Sequence, residues 1–354
     1  MKKWMTLTMC LLLTMALLAG CGGGANTSPT PAPSASAAPS EKPATPEPAP
    51  VSTPEAKKTG AEINVAALKG PTGIGMVKLM EEAEKGEAAN AYNFTIAAAP
   101  DEVVAKVASG EVDVAAVPTN VAATLYAKTE GKVEIMALNT LGVLYVLENG
   151  ETINSVKDLS GKTLHASGQG ATPEYVMNYI LEKNGVTDCT IEWHGEHAEL
   201  ATLIASGEVE LALLPEPNVT SVLMKSETTR VALDLTEEWN AVAGDESELT
   251  MGCLIVRKDF AEENKEALNA FLEEYEASVE YVNSNVADAA QLVEKFGIMP
   301  AAAAAEKAIP NCNIVYVDGD EMKTSIEALY NVLFEANPKS IGGALPGEDF
   351  YYTK

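Results

Sequence analysis

The sequence predicts an α/β fold made of two similar lobes, each a mostly parallel sheet flanked by helices. Strand-like and helix-like patterns alternate from about residue 62 onward, which is typical of parallel sheets with helices on both faces. In addition, positions 102–118 match positions 199–215, and the run Ala-Ser-Gly-Glu-Val occurs in both, at 108–112 and 205–209. One pair of repeats is too few for a solenoid and fits two lobes.

The elements of the first repeat follow one another in a strand-and-helix order. Val77, Met80 and Ala83 would share one helix face, and a later helix would begin at an Asp101 cap and stop at Gly110. The predicted elements are a strand over 63–68, a turn over 69–75, a helix from 76, a strand over 94–98, a helix from 101, a strand over 112–117 and a helix over 119–128.

Two further strand patterns, at 142–147 and 249–256, are predicted to cross between the lobes. They divide the body into a first lobe of 62–146 plus 250–354 and a second lobe of 147–249. Apolar residues recur at helical spacing after residue 257, and we expect them to pack back on the first lobe. They are Leu268, Phe271, Leu272, Tyr275, Val279, Val282, Ile326, Leu329, Leu333 and Phe334.

The N-terminal region has the pattern of an export signal followed by a tether. Lys2 and Lys3 precede an apolar run over 5–18 that is too short for a comfortable membrane span. The run ends in Leu-Ala-Gly-Cys21, which resembles the bacterial lipobox and implies cleavage before Cys21 and lipid attachment to its thiol. We therefore predict a signal peptide over 1–20. Nine of the 19 prolines lie between Pro29 and Pro54, which predicts a disordered tether over 21–61.

Charge and composition exclude several classes of function. The formal net charge of −27 repels phosphate backbones, so we expect no nucleic-acid partner. Cys189, Cys253 and Cys312 show no CxxC spacing and are predicted to be buried free thiols. His194 and His197 lack the H-E-x-x-H spacing and are expected to be polar surface. No metal, no cofactor and no catalytic residue is predicted, and the chain is not expected to be an enzyme.

Four turns at the carboxyl ends of strands form the predicted binding site. Ligands of open α/β sheets bind at these ends, where glycines allow close approach and free N–H groups at helix starts can receive an oxyanion. Two turns come from each lobe, so closure would bring all four around one solute. The predicted solute contacts are Gly70, Pro71, Thr72, Gly73, Ile74, Gly75, Thr119, Asn120, Ser167, Gly168, Gln169, Gly170, Thr172, Glu216 and Asn218.

Three side chains near these turns bear on the charge of the solute. An inward-facing Glu216 would favour an amine, amidine or pyrimidine over nitrate or a sulfonate. Trp193 could stack on a ring or pack in the core. Lys69 could balance an anionic group or be solvated. The sequence leaves these alternatives open.

Three segments resemble solute-binding lipoproteins of ABC importers. They are the lipobox, Asp-Leu-Ser-Gly-Lys-Thr at 158–163 and Ser-Gly-Glu-Val-Glu-Leu-Ala-Leu-Leu-Pro-Glu-Pro at 206–217. The most similar subgroup is the nitrate, sulfonate and taurine type, which includes binders of thiamine pyrimidine precursors. The resemblance covers about residues 62–354.

The resemblance implies a type II periplasmic-binding-protein clamp that closes on a small solute and delivers it to an ABC permease and its ATPase. It implies a monomer outside the cytoplasm, anchored to the cell membrane by lipid. Two alternatives remain: a ligand-sensing lipoprotein that signals to a membrane kinase, and an enzyme similar to a fungal pyrimidine synthase, whose cysteine-rich site this chain lacks.

Overall fold

The computed structural model describes residues 58–244 and 247–354, all within one compact unit. The predicted signal peptide, Cys21 and nearly all of the tether lie outside the described residues. The strands are β1 (Glu62–Leu68), β2 (Ala91–Ala97), β3 (Val114–Pro118), β4 (Val133–Leu141), β5 (Leu144–Asn149), β6 (Thr163–Ser167), β7 (Thr190–His194), β8 (Leu211–Pro215), β9 (Thr229–Asp234), β10 (Thr250–Arg257) and β11 (Ile314–Asp318).

The helices lie between and after these strands. They are α1 (Pro71–Ile74), α2 (Val77–Lys85), α3 (Pro100–Ser109), α4 (Thr119–Lys128), α5 (Thr172–Lys183), α6 (His197–Ser206), α7 (Asn218–Leu223), α8 (Leu235–Ala243), α9 (Lys258–Glu263), α10 (Lys265–Ser284), α11 (Val286–Lys295), α12 (Ala302–Ala308) and α13 (Gly319–Ala336). None of the helices in the described ranges is long and apolar enough to cross a membrane.

The strands form two sheets with the same internal plan. The first sheet has the order β11-β4-β10-β3-β1-β2 and the second has the order β7-β6-β8-β5-β9. In each sheet three strands are parallel, β1 to β3 or β6 to β8, and an antiparallel strand follows, β10 beside β3 or β5 beside β8. Two sheets flanked by helices confirm the predicted two-lobe α/β fold class. The strand pairings are mixed, with two parallel and three antiparallel pairs in the first sheet and two of each in the second.

The internal repeat is reproduced residue for residue by the secondary structure. Helices α3 and α6, and likewise strands β3 and β8, begin and end at positions that the sequence alignment pairs. Both helices stop at a glycine with positive φ, 80° at Gly110 and 79° at Gly207, a backbone conformation that favours glycine. The prediction that Asp101 caps this helix is wrong. The helix begins one residue earlier, at Pro100, and proline suits the first helical position.

The core has three layers in the first lobe, by which we mean the first sheet and the helices on its two faces. Successive residues of a strand point to opposite faces. Val65 therefore belongs to the core cluster that includes Leu268 and other residues of α10, while its neighbour Ala66 belongs to the cluster that includes Ile326 of α13. The predicted apolar stripes of α10 and α13 are thus core contacts. Phe334 is only partly buried but packs against the same cluster.

The chain crosses from the first sheet to the second between Leu141 and Leu144. Residues 144–148 pair with β8, so the second sheet begins before the predicted boundary at 146/147. Gly142 lies at this crossing, and a Cβ atom there would stand 2.1 Å from Thr236 Oγ1. The return strand β10 begins at Thr250, which pairs with Leu141. The crossing is therefore close-packed, and Gly142 leaves space for Thr236 of the second lobe.

Candidate functional site

The predicted turns lie at the carboxyl ends of β1, β3, β6 and β8. The first of them, at residues 70–75, is not an open turn, because residues 71–74 form the short helix α1 and Thr72, Gly73 and Ile74 are buried. Thr72 Oγ1 donates to the Leu68 carbonyl, 3.3 Å away. This segment therefore presents a packed helical turn at the edge of the first sheet.

A group of buried polar side chains surrounds Gly252 at this same edge. A Cβ atom on Gly252 would stand 2.5 Å from Asn139 Oδ1, 3.0 Å from Thr72 Cγ2 and 3.2 Å from Thr140 Cβ. Thr140 Oγ1 donates to Asn139 Oδ1 over 3.0 Å. Gly252 also pairs with Pro118, the residue before Thr119. The ends of β1, β3, β4 and β10 thus meet here.

Three polar atoms at this edge are buried without a hydrogen-bond partner: Thr119 Oγ1, Asn139 Nδ2 and Thr250 Oγ1. Their residues are at most 1% exposed. The Tyr275 hydroxyl, itself buried without a partner, lies beside the Asn139 amide, which opposes the rise in pKa that burial imposes on that phenol. A buried polar group without a partner destabilises the protein, so these atoms indicate a missing polar partner. We call these three residues the polar cluster.

Sequence reasoning missed Asn139 and Thr250. The sequence did contain an indication of Asn139, because Asn139 and Thr140 are polar residues near the carboxyl end of an otherwise apolar strand. Neutral polar residues at such an end are placed where ligands of α/β sheets bind.

On the second lobe, the second sheet with its helices, Ser167 pairs with a histidine. His197 Nδ1 lies 2.6 Å from Ser167 Oγ, and Ser167 is buried at the end of β6. His197 keeps part of its surface exposed, but burial of its imidazole lowers the pKa to about 4. The expectation that this histidine is polar surface is therefore wrong. The imidazole is neutral at neutral pH.

The other two histidines interact with each other across the neighbouring strands β6 and β7 of the second sheet. His165 Nδ1 lies 3.0 Å from His194 Nε2, and Glu192 Oε2 lies 3.5 Å from the same His165 nitrogen. In the part of the chain that the structure describes, no three His, Cys, Asp or Glu residues are grouped so that they could hold a metal.

Glu216 is engaged within the second lobe. Its carboxylate accepts hydrogen bonds from the Thr220 N–H at 3.0 Å and from Thr220 Oγ1 at 2.9 Å. Burial raises the pKa of this carboxyl, and the two Thr220 bonds oppose the rise. The carboxylate therefore holds the first turn of α7, and its contact with a solute stays a prediction. Asn218, also a predicted contact, is half-buried at the start of that helix.

The turn over 168–172 meets the first lobe directly. Thr172 Oγ1 donates to Asn120 Oδ1 over 3.1 Å, and Asn120 Nδ2 donates to the Gly170 carbonyl over 3.3 Å. Gln169 and Gly170 are exposed, while Gly168 is half-buried. The structure therefore brings Asn120, Gly170 and Thr172 together, one residue from one lobe and two from the other.

Trp193 and Lys69 are the other two side chains whose role the sequence left open. Trp193 lines a cavity of about 490 Å³ on the second lobe, together with Leu181, Val186 and Ile191. Lys69 is exposed at the end of β1. Trp193 is thus in contact with apolar side chains.

Comparison with known proteins identifies a family and several structures of the same fold. Residues 93–289 match the family model described as NMT1/THI5 like. An ABC transporter structure from Parabacteroides distasonis is 23% identical and has a TM-score of 0.70; the match covers 83% of this chain and 99% of that one. No curated protein matches the sequence.

Two further structures are of proteins that are named for the solute they bind. The periplasmic aliphatic sulphonate-binding protein SsuA from Escherichia coli is 14% identical with a TM-score of 0.65, over 83% of this chain and 93% of that one. The periplasmic nitrate-binding protein NrtA from Synechocystis is 13% identical with a TM-score of 0.54, over 73% and 70%. At these identities the likeness shows the shared two-lobe fold, as the resemblance implied.

Proposed function

The chain belongs to the NMT1/THI5-like family, and from this membership and the polar cluster we propose that it is an extracytoplasmic solute-binding protein. In this proposal the two lobes close on a small molecule, which is delivered to an ABC-type importer. The structural neighbours support an importer as the partner, because one is an ABC transporter and two are periplasmic binding proteins. The observation that carries the proposal is the set of three buried atoms without partners at the edge of the first sheet.

The chemistry of the polar cluster indicates the class of solute. It offers one amide donor and two hydroxyls, which both donate and accept. None of its three side chains is charged, so a nitrate or sulfonate would keep its charge without a counter-ion from the cluster. We therefore favour a neutral solute with donors and acceptors of its own, such as a pyrimidine precursor.

Removing the two hydroxyls tests the proposal. Thr119→Val and Thr250→Val keep the side-chain shape and delete a hydroxyl that has no hydrogen-bond partner among the described residues. We expect each variant to keep its free energy of unfolding or gain up to about 1 kcal/mol. Affinity for the solute should fall roughly fivefold to tenfold in each, the effect of one hydrogen bond. A thermal-shift screen over pyrimidines, amines, sulfonates and nitrate supplies the solute, and calorimetry measures the affinity.

The matched control is Thr202→Val. This exposed threonine donates to the Ala198 carbonyl of its own helix, so the same change should leave affinity unaltered. Unchanged affinity in both cluster variants would contradict the proposed site, and a wild-type protein stabilised by none of the solute classes would contradict the proposed function.

We further propose that the protein is held at the membrane by a lipid on Cys21, after removal of residues 1–20. The lipobox and the Pro-rich segment behind it support this assignment. Cys21→Ala should abolish incorporation of labelled fatty acid and leave the protein unprocessed or released into the medium. Cys189→Ala, which removes a free thiol of the body, should retain the label. Fatty-acid labelling of Cys21→Ala at the wild-type level would refute the anchor.

A further inference from the structure

The side-chain amide of Asn120 is held between the two lobes by three hydrogen bonds. Its Oδ1 accepts from Thr172 Oγ1, 3.1 Å away, and its Nδ2 donates to the carbonyls of Gly170 at 3.3 Å and Ser340 at 3.2 Å. Ser340 follows α13 in the first lobe, so that bond stays within one lobe. The bonds to Gly170 and Thr172 cross to the other lobe.

The surroundings fix the orientation of this amide. Two carbonyl oxygens face one end of it, and a carbonyl can only accept, so that end must be the NH₂ group. Asn120 is 1% exposed and Thr172 is fully buried. On the other side, the Gly170 N–H donates to Glu174 Oε2 at 2.6 Å, which holds the turn in place. Both halves of the contact are therefore oriented by bonds within their own lobes.

These bonds leave Asn120 little capacity for a solute. Both N–H groups are occupied and Oδ1 already accepts one of its two possible hydrogen bonds, in contrast with the three unpartnered atoms of the polar cluster. When the lobes separate, the bonds to Gly170 and Thr172 must break together, because their partners lie on the other lobe. The contact therefore exists only while the two lobes touch at this junction.

We propose that Asn120 is a positioning residue that latches the two lobes in the closed arrangement, with or without solute, and does not contact the solute. This assignment rests on the proposed function only in that a solute binds between the lobes. The latch raises affinity indirectly, since apparent affinity scales with the closed fraction of the protein.

The test compares amide hydrogen exchange in the solute-free wild type and in Asn120→Ala. We expect exchange at residues 171–175, at the start of α5, to be roughly fivefold to tenfold faster in the variant, because the closed fraction falls. Thr172→Val should accelerate the same amides, and the double variant should add little to either single change, since all three lack the same latch. Apparent affinity for the solute should fall in proportion to the loss of closed fraction, which is a smaller change than the acceleration of exchange when the closed state predominates.

The matched control is Asn149→Ala. The Asn149 amide makes four hydrogen bonds, to the carbonyls of Ile204 and Val209 and from the hydroxyls of Thr228 and Thr229, and all lie within the second lobe. This variant should lower the denaturation midpoint without accelerating exchange at residues 171–175 selectively. An Asn120→Ala protein with wild-type exchange and weaker solute binding would make Asn120 a solute contact and overturn the latch. The exchange measurement needs no solute. It therefore tests the proposed role of Asn120 even if the proposed function is wrong.

Discussion

The free energy of unfolding is expected to fall by up to about 3 kcal/mol as the pH drops from 6.5 to 4, because of His197 alone. Burial lowers the pKa of this imidazole from 6.5 to about 4 in the folded protein. His197 is also the first residue of α6, where the positive end of the helix dipole disfavours an imidazolium. The folded state therefore resists the proton that the unfolded state accepts.

The sign follows from proton counting. Between pH 4 and 6.5 the unfolded chain carries a proton on this residue and the folded protein does not, so stability rises with pH through that window. Above 6.5 neither state is protonated and the contribution is constant. Urea denaturation at a series of pH values measures it as the difference between wild type and His197→Gln, which cancels the carboxylates that titrate in the same range.

Ser167→Ala separates burial from hydrogen bonding as the cause. This variant removes the hydroxyl that faces His197 Nδ1 but leaves the imidazole enclosed, so the pH dependence should persist. If wild type and His197→Gln showed parallel stability curves from pH 4 to 6.5, the imidazole would be solvated and the predicted dependence would be wrong.

The architecture could be predicted because short sequence patterns determine where its helices and strands begin and end. The Ala-Ser-Gly-Glu-Val run includes the glycine that ends α3 and α6, so matching the two copies also matched the helices and the strands after them. The predicted crossing point differs from the observed one because residues 144–146 are apolar and suit either sheet. Only pairing with β8 assigns them to the second.

The sequence could predict the region of the binding site but not the role of each side chain within it. Turns at strand ends identify where a ligand binds, but the partner of each side chain depends on tertiary contacts. The Asn120 amide forms hydrogen bonds with the other lobe, and the Glu216 carboxylate accepts hydrogen bonds from Thr220, four residues later. Asn139 had no turn beside it to mark it, and it became visible only as a buried amide without a partner.

Gly252→Ala is expected to remove most solute binding and to destabilise the protein by about 1–3 kcal/mol. The added Cβ would stand 2.5 Å from Asn139 Oδ1. It would also stand 3.0 Å from Thr72 Cγ2 and 3.2 Å from Thr140 Cβ, so it cannot shift away from Asn139 toward either residue. Gly252 is buried in a strand paired on both sides, so its backbone cannot retreat. The Asn139 amide must therefore move, which displaces a donor of the polar cluster. We expect at least a tenfold loss of affinity by calorimetry, or about 1.4 kcal/mol.

Two further variants distinguish a packing defect from loss of the site. Gly195→Ala, at a glycine with no atom within 4 Å of an added Cβ and without positive φ, should change neither stability nor affinity. Gly252→Ala combined with Asn139→Ala frees the space that the methyl group needs, so stability should recover toward the wild-type value. Affinity should stay low, because the donor is now absent. Recovery of both properties in the double variant would mean that Asn139 contributes volume alone, and the polar cluster would lose its assigned role in binding.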